Sequence, residues 1–259
     1  MIRLLVDMLL LLAMAALLWV FHLYSRVLTD PVLVTIWLAV TVTIAGGLVW
    51  RGRLRRRSFL TVYIAAQSPL QRLLRGGLLM ILSQLLLAMI LALLLMVVLI
   101  RSTQSPIWIV LMLAAPLLVV LRSGLQEAFK NHVSPLYRSE FSLRLSLIGL
   151  GIPLVALLIY LSMVRSYPDF TAVSLERAVW HLVEQEQARS ETLLMGLQIA
   201  AASDALRLWL AQQLLPMLGI PLFQWLGWLL VFVREAVFVW SYLLLCQGVL
   251  LGVNRHVRS

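Results

Sequence analysis

Long apolar runs separated by short polar connections dominate the chain. Several runs reach the ~18 residues that a helix needs to cross the hydrocarbon core of a bilayer. The runs predict eight membrane-spanning helices, at about 4–24, 32–50, 78–100, 107–121, 145–164, 193–215, 217–233 and 236–253. The sequence therefore predicts an all-α fold: a polytopic integral membrane helical bundle that forms a single transmembrane domain over residues 1–259.

The composition agrees with a membrane environment. Hydrophobic residues make up 62% of the chain, charged residues only 12%, and the mean hydropathy is +0.98. A water-soluble domain of 259 residues could not bury so much apolar surface. The formal net charge of +10 lies mostly in short connections beside apolar runs, so it indicates membrane orientation and not a nucleic-acid partner.

The distribution of arginine predicts the orientation. Seven arginines and no acidic residue lie between positions 51 and 77. Positive residues close to span ends stay on the cytoplasmic side, where they also meet anionic lipid headgroups. We expect an integral protein of a bacterial cytoplasmic (inner) membrane with its N-terminus in the cytoplasm. The cytoplasmic basic cluster comprises Arg51, Arg53, Arg55, Arg56 and Arg57.

An amphipathic segment at about 171–191 differs from the spans. It follows the fifth apolar run and is rich in acidic residues, and its apolar residues recur at helical spacing. Asp169 or Thr171 could provide its helix N-cap. We expect one amphipathic helix on the outer surface, with its apolar stripe on lipid headgroups, on the bundle or on a partner.

The segment 193–215 leaves the number of spans open. Asp204 and Arg207 lie near its centre, and such charges cost about 2.5–3.5 kcal/mol each there, against about 0.3–0.6 kcal/mol gained per large aliphatic residue. The basic tail after residue 253 prefers the cytoplasm, which favours eight spans with 193–215 included. Seven spans, without it and with the tail on the outer side, is the alternative.

Two charged pairs are the candidate functional residues. Asp204 and Arg207 are three residues apart, so they share a helix face and can neutralise one another. Ionisable residues inside a membrane indicate function because they cost stability. Arg234 and Glu235 are predicted to mark a turn between the last two spans, with a substrate role as the alternative.

Catalytic, cofactor and metal-site patterns do not occur in the sequence. The histidines lack metal-ligand spacing, and Cys246 has no base near it. We therefore expect no cofactor and favour a non-enzymatic subunit or scaffold of a larger membrane complex, with partner subunits or as a homo-oligomer. A small oligomeric channel or transporter that uses Asp204 and Arg207 is the first alternative. An intramembrane enzyme that acts on a lipid-borne substrate is the second.

Overall fold

The structure is a bundle of α-helices. This computed structural model describes residues 2–63, 77–102, 105–164, 167–217 and 221–256. The described helices are α1 (Ile2–Tyr24), α2 (Asp30–Tyr63), α3 (Leu78–Arg101), α4 (Ser105–Ala128), α5 (Pro135–Val164), α6 (Leu175–Val183), α7 (Glu191–Met217) and α8 (Pro221–His256). Within these ranges there is no strand, and seven helices are long and apolar enough to cross a membrane. The predicted all-α membrane bundle is confirmed.

Helices α1 to α5 run in alternating directions, and side chains near their ends show which ends meet. The His22 ring at the end of α1 hydrogen-bonds to the Leu99 carbonyl near the end of α3, at 2.8 Å. Early in α2, Trp37 Nε1 donates to the carbonyl of Met89 in α3, at 3.2 Å. We call the end of the bundle where α1, α3 and α5 finish, and where α2 and α4 begin, the cap end.

Helix α8 is the central helix of the bundle. Between Phe232 and Gly252 it is 61% buried, against 22–33% for the other candidate spans. It packs against α1, α2, α3, α5 and α7. The Tyr242 hydroxyl donates to the Leu111 carbonyl of α4 at 2.7 Å, and Gly248 lies directly against Thr43 of α2. Burial on most sides explains why this helix carries more small and polar residues than a lipid-facing helix would.

The predicted division of the last quarter into spans at 217–233 and 236–253 is wrong. Pro221–His256 forms one continuous helix, and Arg234 and Glu235 lie inside it instead of at a turn. Both side chains form ion pairs with residues of α7. These ion pairs neutralise both charges within the bundle, so the helix can continue through this position.

The predicted amphipathic helix exists but is shorter than the expected 171–191. Helix α6 covers Leu175–Val183, and its apolar stripe packs on α7, with Ala178 fully buried. Asp169 does not cap it. The Asp169 carboxylate instead accepts hydrogen bonds from the backbone N–H and the hydroxyl of Thr171, and these bonds lower the pKa of Asp169. The apolar stripe therefore lies against another helix of the protein itself, which is one of the three locations expected for it.

Helix α7 lies across the cap end. At its start, the Ser190 and Thr192 hydroxyls bond to the carboxylate of Asp30, the first residue of α2. Further along, Leu197 packs beside the end of α3. Near its C-terminal end, Gln212 bonds to the backbone of Pro168, just beyond α5. Although α7 is long and apolar enough to span, its successive contacts are therefore with helix ends at one level.

We call residues 167–217, which contain α6 and α7, the cap. The start of α1 and the end of α8 both lie at the end of the bundle opposite the cap, as do Arg51 and Arg53 of α2. This arrangement follows from the alternating helix directions and from the contact of Gly47 in α2 with Gly248 in α8.

Candidate functional site

Asp204 is the centre of a charged cluster where the cap meets the bundle. Its Oδ2 accepts a hydrogen bond from Arg101 Nη1 at 2.5 Å. Nη1 of Arg234 donates to both carboxylate oxygens, at 3.0 and 2.9 Å. Arg207 Nη2 lies 3.3 Å from Oδ1. One carboxylate thus joins three guanidinium groups, which come from α3, α7 and α8.

Two further carboxylates balance this positive charge. Glu186, between α6 and α7, accepts a hydrogen bond from Arg101 Nε at 2.8 Å. Glu235 Oε2 lies 3.7 Å from Arg207 Nη1. Arg101 and Arg207 therefore each face two carboxylates, whereas the carboxylate that pairs with Arg234 is Asp204 alone among the described residues. In the described part of the chain, Arg234 therefore hydrogen-bonds to a single carboxylate, which it shares with the other two arginines.

The cluster is largely shielded from solvent. The side chain of Asp204 is 13% exposed and that of Glu186 is 9% exposed, while Arg234 is the most open of the three arginines at 29%. Charge-assisted Arg–carboxylate bonds in such partly dehydrated surroundings are stronger than exposed ion pairs. Removal of one partner leaves the other charges uncompensated, which is the costly case for buried ion pairs.

Both predicted charged pairs belong to this cluster. Asp204 and Arg207 share one face of α7, as their spacing predicts, and the next helix brings Arg234 and Glu235 against them. The sequence analysis did not single out Arg101 or Glu186 as candidate site residues. The available signal was the position of Arg101 at the end of an apolar run of 23 residues.

A cavity of about 220 Å³ opens beside the cluster, between the cap and the bundle. One wall is charged and includes Arg101, Asp204, Arg207, Arg234 and Glu235. The other lining residues are mostly apolar and include Leu158 and Leu161 of α5 and Phe238 of α8. The Ser162 and Tyr167 hydroxyls, 2.6 Å apart, add a polar edge. The cavity therefore offers charged and apolar contacts to a small molecule.

The described side chains do not resemble a metal centre or a nucleophilic site. Across these ranges, no three His, Cys, Asp or Glu residues are grouped closely enough to hold a metal ion. His22 contacts Trp108, and His181 contacts Phe170 and Gln185. Cys246 is fully buried in α8, out of reach of any solute.

Only part of the predicted basic cluster is described. Arg51 is nearly buried and lies 3.5 Å from Glu140 of α5, so it belongs to the packing between helices. Arg53 is exposed. The side chains of Arg55, Arg56 and Arg57 lie outside the described residues.

Comparisons with protein-family models, with curated proteins and with solved structures found no match to this chain.

Proposed function

We propose that the chain is a non-enzymatic subunit of a larger membrane complex and that the cap presents the surface on which a partner chain binds. The observation that carries this proposal is the attachment of the cap. Asp204 connects α7 to α3 and α8, and Glu186 adds a second link to α3. A surface held rigidly before association loses less conformational entropy when a partner binds.

The exposed face of α6 is the best candidate for the contact. Trp180 is 56% exposed and points away from the buried Ala178. Glu176 and Arg177 are exposed beside it. Tryptophan is enriched among the residues that contribute most to binding at interfaces, and a charged rim around it adds specificity.

Site-specific cross-linking tests this proposal. A photoreactive amino acid at Trp180 is expected to give one adduct of defined mass in native membranes, with a chain that also co-purifies stoichiometrically. The matched control is Leu113 of α4, which is 64% exposed on a helix that is not part of the cap. If position 180 yields only lipid adducts, or the same adducts as position 113, the assembly role is wrong.

For the membrane itself, we propose a bacterial cytoplasmic membrane with the N-terminus in the cytoplasm and the cap on the outer side. The support is the charge asymmetry: Arg51 and Arg53 lie at the end opposite the cap, where positive residues favour the cytoplasm and anionic headgroups. Protease digestion of sealed, right-side-out vesicles tests it. Cleavage in the cap is expected, and cleavage near Arg53 instead would reverse the orientation.

The cavity supports a second candidate, a small channel or transporter. Its lining contains Asp204 and Arg207, and ionisable residues inside membrane bundles mark substrate and ion pathways. Purified protein in liposomes tests this function by the flux of ions and small organic acids. Flux that Arg207→Gln abolishes would support transport. If the vesicles show no flux, the role as a subunit of a complex is the better proposal.

A further inference from the structure

We propose that the cavity under the cap binds a small monocarboxylate with a short aliphatic chain. The carboxylate would bind Arg234, and the aliphatic chain would lie against the apolar lining residues. The inference goes beyond the assembly role, and binding to the purified chain tests it without a transport measurement.

Arg234 has an edge available for a second anion. Asp204 uses only its Nη1, at 2.9 and 3.0 Å. The Nε and Nη2 atoms of Arg234 make no hydrogen bond with the described residues and are not among the buried polar atoms. These two N–H groups lie side by side in the planar guanidinium, which is the arrangement that binds a carboxylate through two parallel hydrogen bonds.

Three arginines and two carboxylates line the cavity, and the third carboxylate of the cluster, Glu186, bonds to Arg101 without being a lining residue. Asp204, the carboxylate to which Arg234 hydrogen-bonds, is shared with the other two arginines. A bound carboxylate would give Arg234 a hydrogen-bond acceptor that it does not share.

The rest of the ligand follows from the shape and polarity of the cavity. Phe238 lies one turn after Arg234 on the same face of α8, so an apolar group attached to the carboxylate would meet its ring. Leu158 and Leu161 of α5 continue this surface. The volume of about 220 Å³ is below the ~300–1,000 Å³ of sites for drug-sized ligands, which limits the ligand to a few carbon atoms.

The test measures binding of hexanoate to the full chain purified in detergent, by isothermal titration calorimetry. Hexanamide, which has the same chain without the charge, is the matched neutral ligand, and inorganic phosphate is the anion without a chain. Arg234→Gln removes the proposed anchor. Leu161→Phe narrows the apolar part of the cavity and leaves every ion pair intact. Arg144→Gln, at an exposed arginine of α5 that does not line the cavity, is the control variant.

We expect saturable binding of hexanoate that Arg234→Gln weakens about tenfold or more, since hydrogen bonds to charged groups are among the strongest. Leu161→Phe should weaken it too, and Arg144→Gln should leave it unchanged. Arg234→Gln could also loosen the cap. If Arg234→Gln fails to fold, the Leu161→Phe result decides whether the cavity binds hexanoate. No binding, equal binding of hexanamide, or unchanged binding by Leu161→Phe would overturn the proposal. Binding of phosphate in place of hexanoate would overturn the ligand class.

Discussion

Gly248 lies where α8 packs tightly against α2, and its replacement by alanine tests how tightly the central helix is held. A Cβ atom at this position would lie 2.1 Å from the Thr43 carbonyl oxygen and 2.9 Å from Thr43 Cγ2. Real Cβ atoms essentially never approach another atom within 3.0 Å. The nearest obstacle is backbone and cannot rotate away, so the two helices must separate by about 1 Å.

The expected magnitude follows from two opposing effects. Overpacking of a well-packed interface costs about 1–3 kcal/mol of the free energy of unfolding. Alanine also favours the helix over glycine by up to about 1 kcal/mol, which partly offsets that loss. Gly252→Ala, four residues later on the same helix, has only the second effect because nothing lies within 4 Å of the place that its new Cβ atom would take. The two variants should therefore differ by about 1–3 kcal/mol.

Equilibrium unfolding in mixed micelles, followed by circular dichroism as the denaturing detergent increases, measures this difference. Gly46→Ala provides a second control on α2, since its Cβ also meets nothing within 4 Å. Gly248→Ala should unfold at lower denaturant than either control. If it unfolds together with them or later, the close contact between α2 and α8 does not limit stability, and the reasoning is refuted.

Three further predictions concern the cap and the core. Asp204→Asn removes the charge that three arginines share, so the free energy of unfolding should fall by roughly 3 kcal/mol and the cap should become sensitive to protease; an unchanged digestion pattern would contradict this. If α7 lies across the cap end, a membrane-impermeant maleimide should label Ile199→Cys, which is 61% exposed, and should not label the lipid-facing Ile152→Cys; equal protection of both would place α7 in the hydrocarbon. The buried native Cys246 should not react. Tyr242→Phe removes a buried hydrogen bond and should cost about 1 kcal/mol in the same unfolding measurement, and no loss would show that the bond adds nothing to stability.

The long apolar runs predicted most of the bundle because the length and hydropathy of a segment determine whether it can span a bilayer. The first five predicted spans correspond to α1 to α5. Their polar extensions were not predicted: α2 continues to Tyr63 and α5 begins at Pro135, both well beyond the apolar runs. Hydropathy identifies the part of a helix that lies in lipid. It gives no signal for the helical turns that extend beyond the lipid.

The candidate site could be predicted only where its residues are close in sequence. The spacing of Asp204 and Arg207 revealed one ion pair. The contacts of Asp204 with Arg101 and Arg234 span 103 and 30 positions, and no local pattern encodes them. Arg234 was predicted to lie at a break between spans because its ion-pair partner, Asp204, is on another helix and no local pattern indicates it.

The position of Arg234 on the last helix has a consequence for biogenesis. During synthesis Asp204 emerges 30 residues before Arg234, so a nascent chain holds an incompletely neutralised acid until α8 has been inserted. The ion pairs between residues 167–217 and α8 can then form only after that helix has been inserted. Truncated or stalled chains would lack these ion pairs and would be more open to membrane quality-control proteases, so arrival of the last helix would distinguish finished molecules from unfinished ones.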